Sequence, residues 1–277
     1  MESDIPVRKL ADDFEIPVLG LGTWELSGGV CEKAVQTALE SGYRHFDTAE
    51  FYGNEAVVGD VVTGFDRGKL FLTSKVWHSN LAFDKVLKSC RRSIDRLGTD
   101  YLDLYLIHWP NQAVDLAETF RAFRELGDEG LVRSFGVSNF NVNHLRKALP
   151  ICAELGLSLS VNQVEFHPGL YQRDLLGFCG ENGIAVTAYS PLGLGRLGDD
   201  EVLADVGGHY AKTWAQVSLR WLLDKDLLVI PRSSNPLHIR QNMDVFDFEL
   251  SEEDTKRIDA LGGGWRFLNP DIAEFDK

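Results

Sequence analysis

The stretch Tyr101-Leu102-Asp103-Leu104-Tyr105-Leu106-Ile107-His108-Trp109-Pro110 is apolar almost throughout and then stops at a histidine, a tryptophan and a proline. Such a run is typical of a strand that is buried on both faces, as the strands of a parallel sheet are. Proline marks the end of the strand because it cannot donate to the sheet. The stretch therefore predicts a central strand with His108 at its carboxyl edge, where barrel enzymes keep their catalytic residues.

Outward from this strand, apolar runs of strand length alternate with segments of helical spacing. The predicted strands besides the central one are Leu19–Thr23, Arg44–Asp47, Leu70–Val76, Val132–Val137, Ser158–Val164, Ile184–Tyr189 and Leu227–Ile230. The predicted helices are Cys31–Ser41, Glu55–Gly64, Phe83–Leu97, Leu116–Leu126, Val142–Leu155, Arg173–Asn182, Thr213–Leu223 and Leu237–Val245. Eight strands, each followed by a helix, predict an α/β protein whose parallel sheet closes into a (β/α)8 TIM barrel.

Three segments lie outside this alternation. Val7–Leu10 and Glu15–Val18 flank an Asp12-Asp13 turn and predict a β-hairpin before the barrel. Leu192–Tyr210 is predicted to be an insertion in a strand-to-helix loop, and the tail after Ser251 to contain one more short helix. No linker interrupts the series, so residues 1–277 are predicted to form a single barrel domain.

Composition restricts the partners and the location of the protein. A chain of 277 residues with 44% hydrophobic residues can bury one large core, and a net charge of −14 excludes nucleic acid as a partner. The scattered acidic residues indicate either an ordinary solvated surface or adaptation to a high-salt habitat. No apolar run approaches the roughly 18 residues of a membrane span, and the acidic start does not resemble a signal peptide. We therefore predict a cytoplasmic monomer with no membrane partner.

The cysteines and histidines show no metal-binding pattern. The four cysteines, Cys31, Cys90, Cys152 and Cys179, lie far apart without a C-x-x-C pair, so neither a zinc site nor a disulfide framework is predicted. The seven histidines lack H-E-x-x-H or other ligand spacing. The sequence therefore predicts no metal.

Four polar residues are expected to meet at the carboxyl edge of the sheet. Asp47 ends the second predicted strand, Tyr52 lies in the loop after it, and Lys75 lies near the end of the third strand. A buried ammonium needs a counter-charge, which Asp47 supplies. Lys75 is expected to lower the pKa of Tyr52 toward the working pH, so that Tyr52 can protonate an alkoxide, while His108 holds the carbonyl by a hydrogen bond. This set predicts carbonyl reduction by hydride transfer.

Each residue taken alone also has a structural explanation. A tyrosine in a loop usually packs, a single lysine is usually solvated, and His108 before Trp109 could be a buried group with satisfied hydrogen bonds. Their coincidence at corresponding strand ends is far more specific.

Motifs along nearly the whole chain, in order, resemble the aldo-keto reductases. They are Leu19-Gly20-Leu21-Gly22-Thr23-Trp24, Asp47-Thr48-Ala49 with Tyr52, Asn54 and Glu55, Leu97–Pro110, Gly136-Val137-Ser138-Asn139-Phe140, Asn162-Gln163-Val164-Glu165-Phe166-His167-Pro168, Tyr189-Ser190-Pro191-Leu192-Gly193 and Ile230-Pro231-Arg232-Ser233-Ser234. The resemblance implies a barrel reductase that uses a nicotinamide dinucleotide. It also implies that Asp47, Tyr52, Lys75 and His108 are its catalytic tetrad.

The same resemblance implies where the cofactor lies. The nicotinamide ring is expected to stack on Tyr189, with its carboxamide near Ser138, Asn139 and Gln163. The pyrophosphate is expected along Ser190, Leu192, Gly193 and Gly195, the ribose phosphate at Arg232, Ser233 and Ser234, and the adenine at Gln241 and Asn242. The remaining implied cofactor contacts are Gly22, Thr23, Trp24, Ile230 and His238.

The predicted coenzyme is NADPH, with appreciable use of NADH. Many NADPH-preferring members of the family carry an arginine near the adenine where this chain has His238, and a neutral imidazole pairs more weakly with a phosphate. Arg232 remains, and no acidic residue stands within residues 232–235 to repel a phosphate.

One motif points to a different fold. Gly193-Leu194-Gly195-Arg196-Leu197-Gly198 matches the G-x-G-x-x-G fingerprint of Rossmann domains. It lies late in the chain, leads into Asp199-Asp200 where a packed helix would be required, and lacks a following strand that ends in an acidic residue. We interpret it as a mobile loop over the cofactor.

The substrate is expected to be a small carbonyl compound. Trp24, Phe51, Trp77, His108 and Trp109 are predicted to form the walls of the entrance, and Trp265-Arg266-Phe267 to close over it. Loops and a tail shorter than those of steroid-handling members indicate small aldehydes, diketones or keto-sugars. The alternative function is a cofactor-binding, redox-sensing interaction subunit with little turnover, and an intact tetrad favours the reductase.

Overall fold

The computed structural model describes residues 5–275. A parallel sheet of eight strands runs through it in chain order, so that each strand pairs with its sequence neighbours. The strands are β3 (Leu21–Gly22), β4 (His45–Asp47), β5 (Phe71–Val76), β6 (Leu102–Ile107), β7 (Val132–Ser138), β8 (Leu159–Glu165), β9 (Ala185–Tyr189) and β10 (Leu228–Val229). The predicted (β/α)8 barrel is confirmed.

The first and last strands meet and close the barrel. Leu19 forms a parallel bridge with Val229, and the Gly22 amide donates to the Pro231 carbonyl at 3.1 Å. A Cβ atom at Gly22 would lie 2.8 Å from the carbonyl oxygen of Ile230, so a side chain at this position would force the two segments apart. The backbone after β3 therefore lies directly beside the backbone after β10.

Helices cover the outside of the barrel. They are α1 (Gly28–Glu40), α2 (Glu55–Val62), α3 (Phe83–Leu97), α4 (Leu116–Asp128), α5 (Val142–Glu154), α6 (Arg173–Glu181), α7 (Glu201–Tyr210), α8 (Trp214–Asp224), α9 (Pro236–Gln241) and α10 (Glu252–Asp259). Helix α3 buries the apolar face expected from its spacing and ends at Gly98 in the left-handed conformation. The short helix α10 in the tail is confirmed.

The N-terminal hairpin seals the amino end of the barrel. Strands β1 (Val7–Lys9) and β2 (Glu15–Pro17) pair antiparallel, as predicted. Leu10 and Ile16 are buried against inward-facing barrel residues such as Phe71 and Leu104. The barrel is therefore accessible mainly from its carboxyl edge.

The segment after β9 is an insertion between that strand and α8, as predicted. Its internal structure was not predicted: residues 192–210 contain a three-residue 3-10 turn, Gly193–Gly195, and the helix α7. The side chain of Asp200 caps α7 by accepting from the Leu203 amide at 3.0 Å, so the acidic pair begins a packed helix. The premise that no packed helix follows the G-x-G-x-x-G match is wrong. The segment is still not a Rossmann dinucleotide-binding motif, because α7 leads to helix α8 and not to another strand.

Candidate active site

The period of two along the strands brings the polar residues to one place. Side chains at alternate positions face the barrel interior, as Leu104 and Leu106 of β6 do, and the next inward position is His108. The inward positions at the carboxyl ends of the other strands and just beyond them are Asp47, Lys75, Ser138, Gln163 and Tyr189. A ring of polar side chains thus lies above an apolar barrel interior.

The four residues of the predicted tetrad lie in contact. Lys75 Nζ lies 2.5 Å from Asp47 Oδ1 and 3.4 Å from the Tyr52 hydroxyl, and both members of the ion pair are almost fully buried. The Tyr52 hydroxyl lies 3.5 Å from His108 Nε2. The second Asp47 oxygen accepts from Gln163 Nε2 at 2.8 Å. Asp47 therefore bridges the lysine and an amide predicted to lie at the nicotinamide site.

A short turn presents Tyr52 to the pocket. Residues Glu50–Tyr52 form a 3-10 turn that ends at Gly53 in the left-handed conformation. Next to it, the Asn54 side chain donates to the carbonyls of Thr23 and Leu26 at 2.8 and 2.9 Å. The loop after β4 is thereby tied to the loop after β3.

The pKa of Tyr52 shifts in the direction opposite to the prediction. Burial, followed by the negative charge of Asp47, raises the pKa of Tyr52 well above its usual value. Lys75 does not offset this because its ammonium is directed to Asp47 at 2.5 Å and to the Thr48 carbonyl at 2.9 Å. The phenol is therefore protonated at neutral pH, which is the form that a proton donor requires.

His108 is a neutral imidazole. Burial, followed by the charge of Lys75, lowers its pKa well below the usual value. The Asn139 side chain donates to the His108 carbonyl at 2.9 Å, and the Asn139 backbone adopts the left-handed conformation, with φ of 64°. A neutral ring can present one N–H beside the Tyr52 hydroxyl without adding a second cation to Lys75.

A cavity of about 1090 Å³ opens above these residues. All five residues predicted to bind substrate line it: Trp24, Phe51, Trp77, His108 and Trp109. Phe51 stacks on Trp77 with ring centroids 3.8 Å apart and an interplanar angle of 9°. Glu50 supports this wall by accepting from the Trp77 amide at 2.6 Å and from Asn80 Nδ2 at 3.0 Å.

The tail lines the cavity with different residues from those predicted. Leu268, Asn269, Pro270 and Ile272 border the cavity, whereas Trp265-Arg266-Phe267 does not. The reason is the buried Glu165, which accepts from the amides of Phe267 and Leu268 at 2.8 and 3.1 Å. These bonds hold Phe267 over the ring of His167, so the chain reaches the cavity only from Leu268 onward.

Most of the predicted cofactor residues surround one side of the same cavity. Those that line it are Gly22, Thr23, Trp24, Ser138, Asn139, Gln163, Tyr189, Ser190, Leu192, Gly195, Ile230, Arg232, Ser233, Ser234 and His238. Three others do not reach it. Gly193 is buried against Leu197 and Phe267, while Gln241 and Asn242 end α9 behind His238.

The residues present fit a nicotinamide dinucleotide. The Tyr189 hydroxyl donates to Asn139 Oδ1 at 2.8 Å, which fixes the ring at the cavity wall beside a set of amide and hydroxyl groups. Farther along the cavity the donors are the guanidinium of Arg232 and the hydroxyls of Ser233 and Ser234, which suit an anion. The volume exceeds the roughly 300–1,000 Å³ of ordinary small-molecule sites.

Sequence reasoning missed several lining residues, including Trp214 and Glu25. Glu25 directly follows Trp24 in the loop after β3, and that position was its only signal in the sequence. Residues 232–235 contain no acidic side chain, but an acidic residue from another segment reaches Arg232. The structure brings Glu25 to Arg232 across the closure of the barrel, at 2.7 Å.

The family model described as "Aldo/keto reductase family" matches residues 18–262. The chain belongs to this family. An aldo-keto reductase from Mycobacterium sp. (strain KMS) is 44% identical over 98% of each chain. A glyoxal reductase from Bacillus subtilis (strain 168) is 43% identical over 95% of each chain. This protein is thus an oxidoreductase by family.

Solved structures agree with this assignment. An aldo-keto reductase from a Medee basin deep-sea metagenome library matches with a TM-score of 0.91 and 40% identity over 98% of each chain. A Bombyx mori aldo-keto reductase in complex with NADP matches with a TM-score of 0.88 and 34% identity, over 97% of this chain and 96% of that one.

Residues 5–275 contain no cluster of three or more histidine, cysteine or acidic side chains that could hold a metal ion. No helix among them is both long and apolar enough to cross a membrane. The four cysteines are buried free thiols.

Proposed function

We propose that the protein reduces small aldehydes and ketones with NADPH, using Tyr52 as the general acid. The observation that carries this proposal is the contact between a protonated phenol, a buried ammonium and a neutral imidazole at the base of the cavity. The proposed coenzyme rests on the donor groups along the cavity and on the related structures that contain NADP.

The bound nicotinamide would supply the hydride to the carbonyl carbon. The carbonyl oxygen would lie between the Tyr52 hydroxyl and His108 Nε2, which are 3.5 Å apart and both face the cavity. His108 orients the oxygen with its N–H, and Tyr52 transfers its proton to that oxygen as negative charge develops. The products are an alcohol and the oxidised coenzyme, and Tyr52 regains its proton from water.

Lys75 and Asp47 make the proton transfer possible. The Lys75 ammonium lies 3.4 Å from the Tyr52 oxygen, so it stabilises the phenolate that forms when the proton leaves. Burial lowers the pKa of Lys75, and the adjacent carboxylate of Asp47 opposes this by favouring the charged form. Asp47 therefore keeps the ammonium charged although the Lys75 side chain is fully buried.

The proposed substrates are small aldehydes, diketones or keto-sugars. The stacked pair Phe51 and Trp77 with Trp24 and Trp109 forms an aromatic wall, and Phe51 is 57% exposed, so the mouth is open to solvent. A related Bacillus subtilis protein carries the name glyoxal reductase, which fits a compact dicarbonyl substrate. A cytoplasmic location and a monomeric state stay predictions from the sequence.

The substitution Tyr52→Phe tests the proposed acid. It removes one hydroxyl and keeps the ring, so turnover of an aromatic aldehyde with NADPH should fall by roughly 10²-fold or more, the usual contribution of a positioned acid. Binding of NADPH, measured by quenching of tryptophan fluorescence, should remain within about twofold of the native value, since this small a change is the scatter expected when no contact is lost. Turnover is followed by loss of NADPH absorbance.

Tyr101→Phe is the matched control, because Tyr101 lies just before the amino end of β6 and does not line the cavity. It should keep native turnover. Native-like turnover in Tyr52→Phe would reject Tyr52 as the acid. A native protein that binds NADPH but reduces none of a panel of aldehydes, diketones and keto-sugars would favour the cofactor-binding, redox-sensing alternative.

A further inference from the structure

An ion pair spans the end of the cavity where the ribose phosphate is expected. Arg232 Nη2 lies 2.7 Å from Glu25 Oε2, and both residues line the cavity. The two residues are 207 positions apart in the chain. They meet because barrel closure sets the segment after β3 beside the segment after β10, where the Gly22 amide donates to the Pro231 carbonyl.

The backbone presents Glu25 to the cavity in a defined orientation. Residues 23–26 form a turn in which the Leu26 amide donates to the Thr23 carbonyl at 3.0 Å. Asn54 bonds both ends of this turn from the neighbouring loop. Glu25 itself has φ of 60°, in the left-handed region that residues other than glycine seldom adopt. The turn is therefore held from two sides with the carboxylate facing Arg232.

Glu25 forms an ion pair with the guanidinium that a bound phosphate would need. Arg232 is the guanidinium in the lining of this part of the cavity, beside Ser233, Ser234 and His238. Among residues 5–275, Glu25 is the one residue with which Arg232 forms an ion pair. The two side chains are 37% and 55% exposed, so the pair is open to solvent and can be displaced.

We propose that Glu25 sets the coenzyme preference of this enzyme by competing with the 2′-phosphate of NADPH for Arg232. This inference rests on the proposed function. A bound 2′-phosphate has to displace the carboxylate and then lies close to its negative charge. NADH leaves the pair intact, and its free 2′-hydroxyl can donate to the carboxylate, as in other dinucleotide sites. Glu25 thus lowers the preference for NADPH.

The test measures binding to Glu25→Gln, which keeps the shape and removes the charge. Dissociation constants for NADPH, NADH, adenosine 2′,5′-bisphosphate and ADP are measured by calorimetry at low and then at high ionic strength. NADPH and adenosine 2′,5′-bisphosphate should bind about fivefold more tightly to the variant, which is the upper range for an exposed pair. NADH and ADP should change by less than about twofold or bind more weakly, and the gain should shrink in high salt.

A double-substitution cycle shows whether the effect acts through Arg232. Arg232→Gln should weaken binding of the two phosphorylated ligands by roughly tenfold, as expected for loss of a charge-assisted contact. Adding Glu25→Gln to that variant should then give no further gain. Glu129→Gln is the matched control, because Glu129 forms an exposed pair with Arg91 away from the cavity. It should leave all four dissociation constants unchanged.

The outcomes separate this inference from the proposed function. A native protein that binds neither coenzyme would reject the proposed function itself. Native binding of both coenzymes, with an unchanged ratio of dissociation constants in Glu25→Gln, would overturn the role of Glu25 and leave the reductase proposal standing. A gain that persists when Glu25→Gln is added to Arg232→Gln would also overturn the role of Glu25. Such a gain could not come from competition for Arg232, because the guanidinium is absent from that variant.

Discussion

The two ends of the central strands bury carboxylates in opposite settings. At the carboxyl edge, the pair of Asp47 and Lys75 contacts the Tyr52 hydroxyl beneath the cavity. At the amino end of β6, Asp103 accepts from Arg67 at 2.7 Å and Arg133 at 3.2 Å, and it does not line the cavity.

The Asp103 carboxylate accepts hydrogen bonds from three donors. Besides the two arginines, the Leu72 amide donates to Asp103 at 2.9 Å. Both guanidinium groups lie over the Tyr101 ring, 3.8 and 3.9 Å from its centroid. Burial raises the pKa of Asp103 even though both arginines lower it. Every group near Asp103 is thus engaged in holding the strand ends together.

The comparison shows that a buried charge pair does not by itself identify a catalytic site. In both places burial disfavours the charged form, since it raises the pKa of Asp103 and lowers that of Lys75. The difference lies in the third partner. Lys75 is in contact with a phenol that can give up a proton into a cavity. The two arginines, among residues 5–275, contact a carboxylate, carbonyls, a hydroxyl and aromatic rings.

The largest expected effect comes from removing the cation at the reactive end. Lys75→Met should lower kcat by roughly 10²–10⁴-fold, because the Tyr52 phenolate then loses its stabilising charge. Arg67→Met, in the Asp103 cluster, should leave kcat within about twofold of the native value, since Arg67 is remote from the reacting groups. Turnover is measured per mole of folded protein, with folding checked by circular dichroism. Equal losses in the two variants would remove the distinction between the clusters.

Acid sensitivity should come from the barrel interior and not from the Asp103 cluster. His45 lies on the same inward face of β4 as Asp47, and burial lowers its pKa from 6.5 to about 4. The unfolded chain binds a proton on this imidazole below pH 6.5, but the folded protein does so only near pH 4, so stability falls as the pH falls through this window. The loss should reach about 3 kcal/mol. The raised pKa of Asp103 acts in the opposite direction.

Urea unfolding of the native protein and His45→Gln between pH 7.5 and about 4.5 measures this effect. The variant should lose part of the pH dependence of its free energy of unfolding, whatever its stability at neutral pH. Parallel curves for the two proteins across the whole range would contradict the assignment to His45.

The smallest expected effect concerns the Asp103 cluster, which we expect to stabilise the fold without taking part in catalysis. Asp103→Ala should lower the free energy of unfolding by about 2 kcal/mol, because the buried Leu72 amide and the two arginines lose their acceptor. The folded variant should keep native kcat and KM. Chemical denaturation and steady-state kinetics on the same preparation provide both values, and a large loss of kcat with an unchanged midpoint would show that the Asp103 cluster affects catalysis.

The alternation of strands and helices was readable because it depends on local spacing. The run from Tyr101 to Pro110 predicted β6 and the edge position of His108, and the structure has the strand at Leu102–Ile107. Helix α7 within the insertion at 192–210 was not predicted, because Asp199-Asp200 was not taken as the beginning of a packed helix. Asp200 is in fact the cap of α7, and Leu203 is buried in the core.

The tetrad could be found because each residue carries a chemical role and a place relative to a strand end. The pKa of Tyr52 was predicted in the wrong direction, because sequence identifies a neighbouring lysine but not the amount of burial. The position of the tail could not be predicted from the sequence either. It depends on two amides that bind the buried Glu165 about 100 positions earlier in the chain.

The sequence by itself determined the order of the elements, the inward positions of the polar side chains and the family resemblance. These follow from periodicity and from residue chemistry, which are properties of short segments. Only the tertiary structure decided that Glu25 meets Arg232, since that contact arises where the first and last strands of the barrel close on each other. Distances between segments, and the desolvation that shifts a pKa, are properties of the closed barrel and are not encoded in any single stretch.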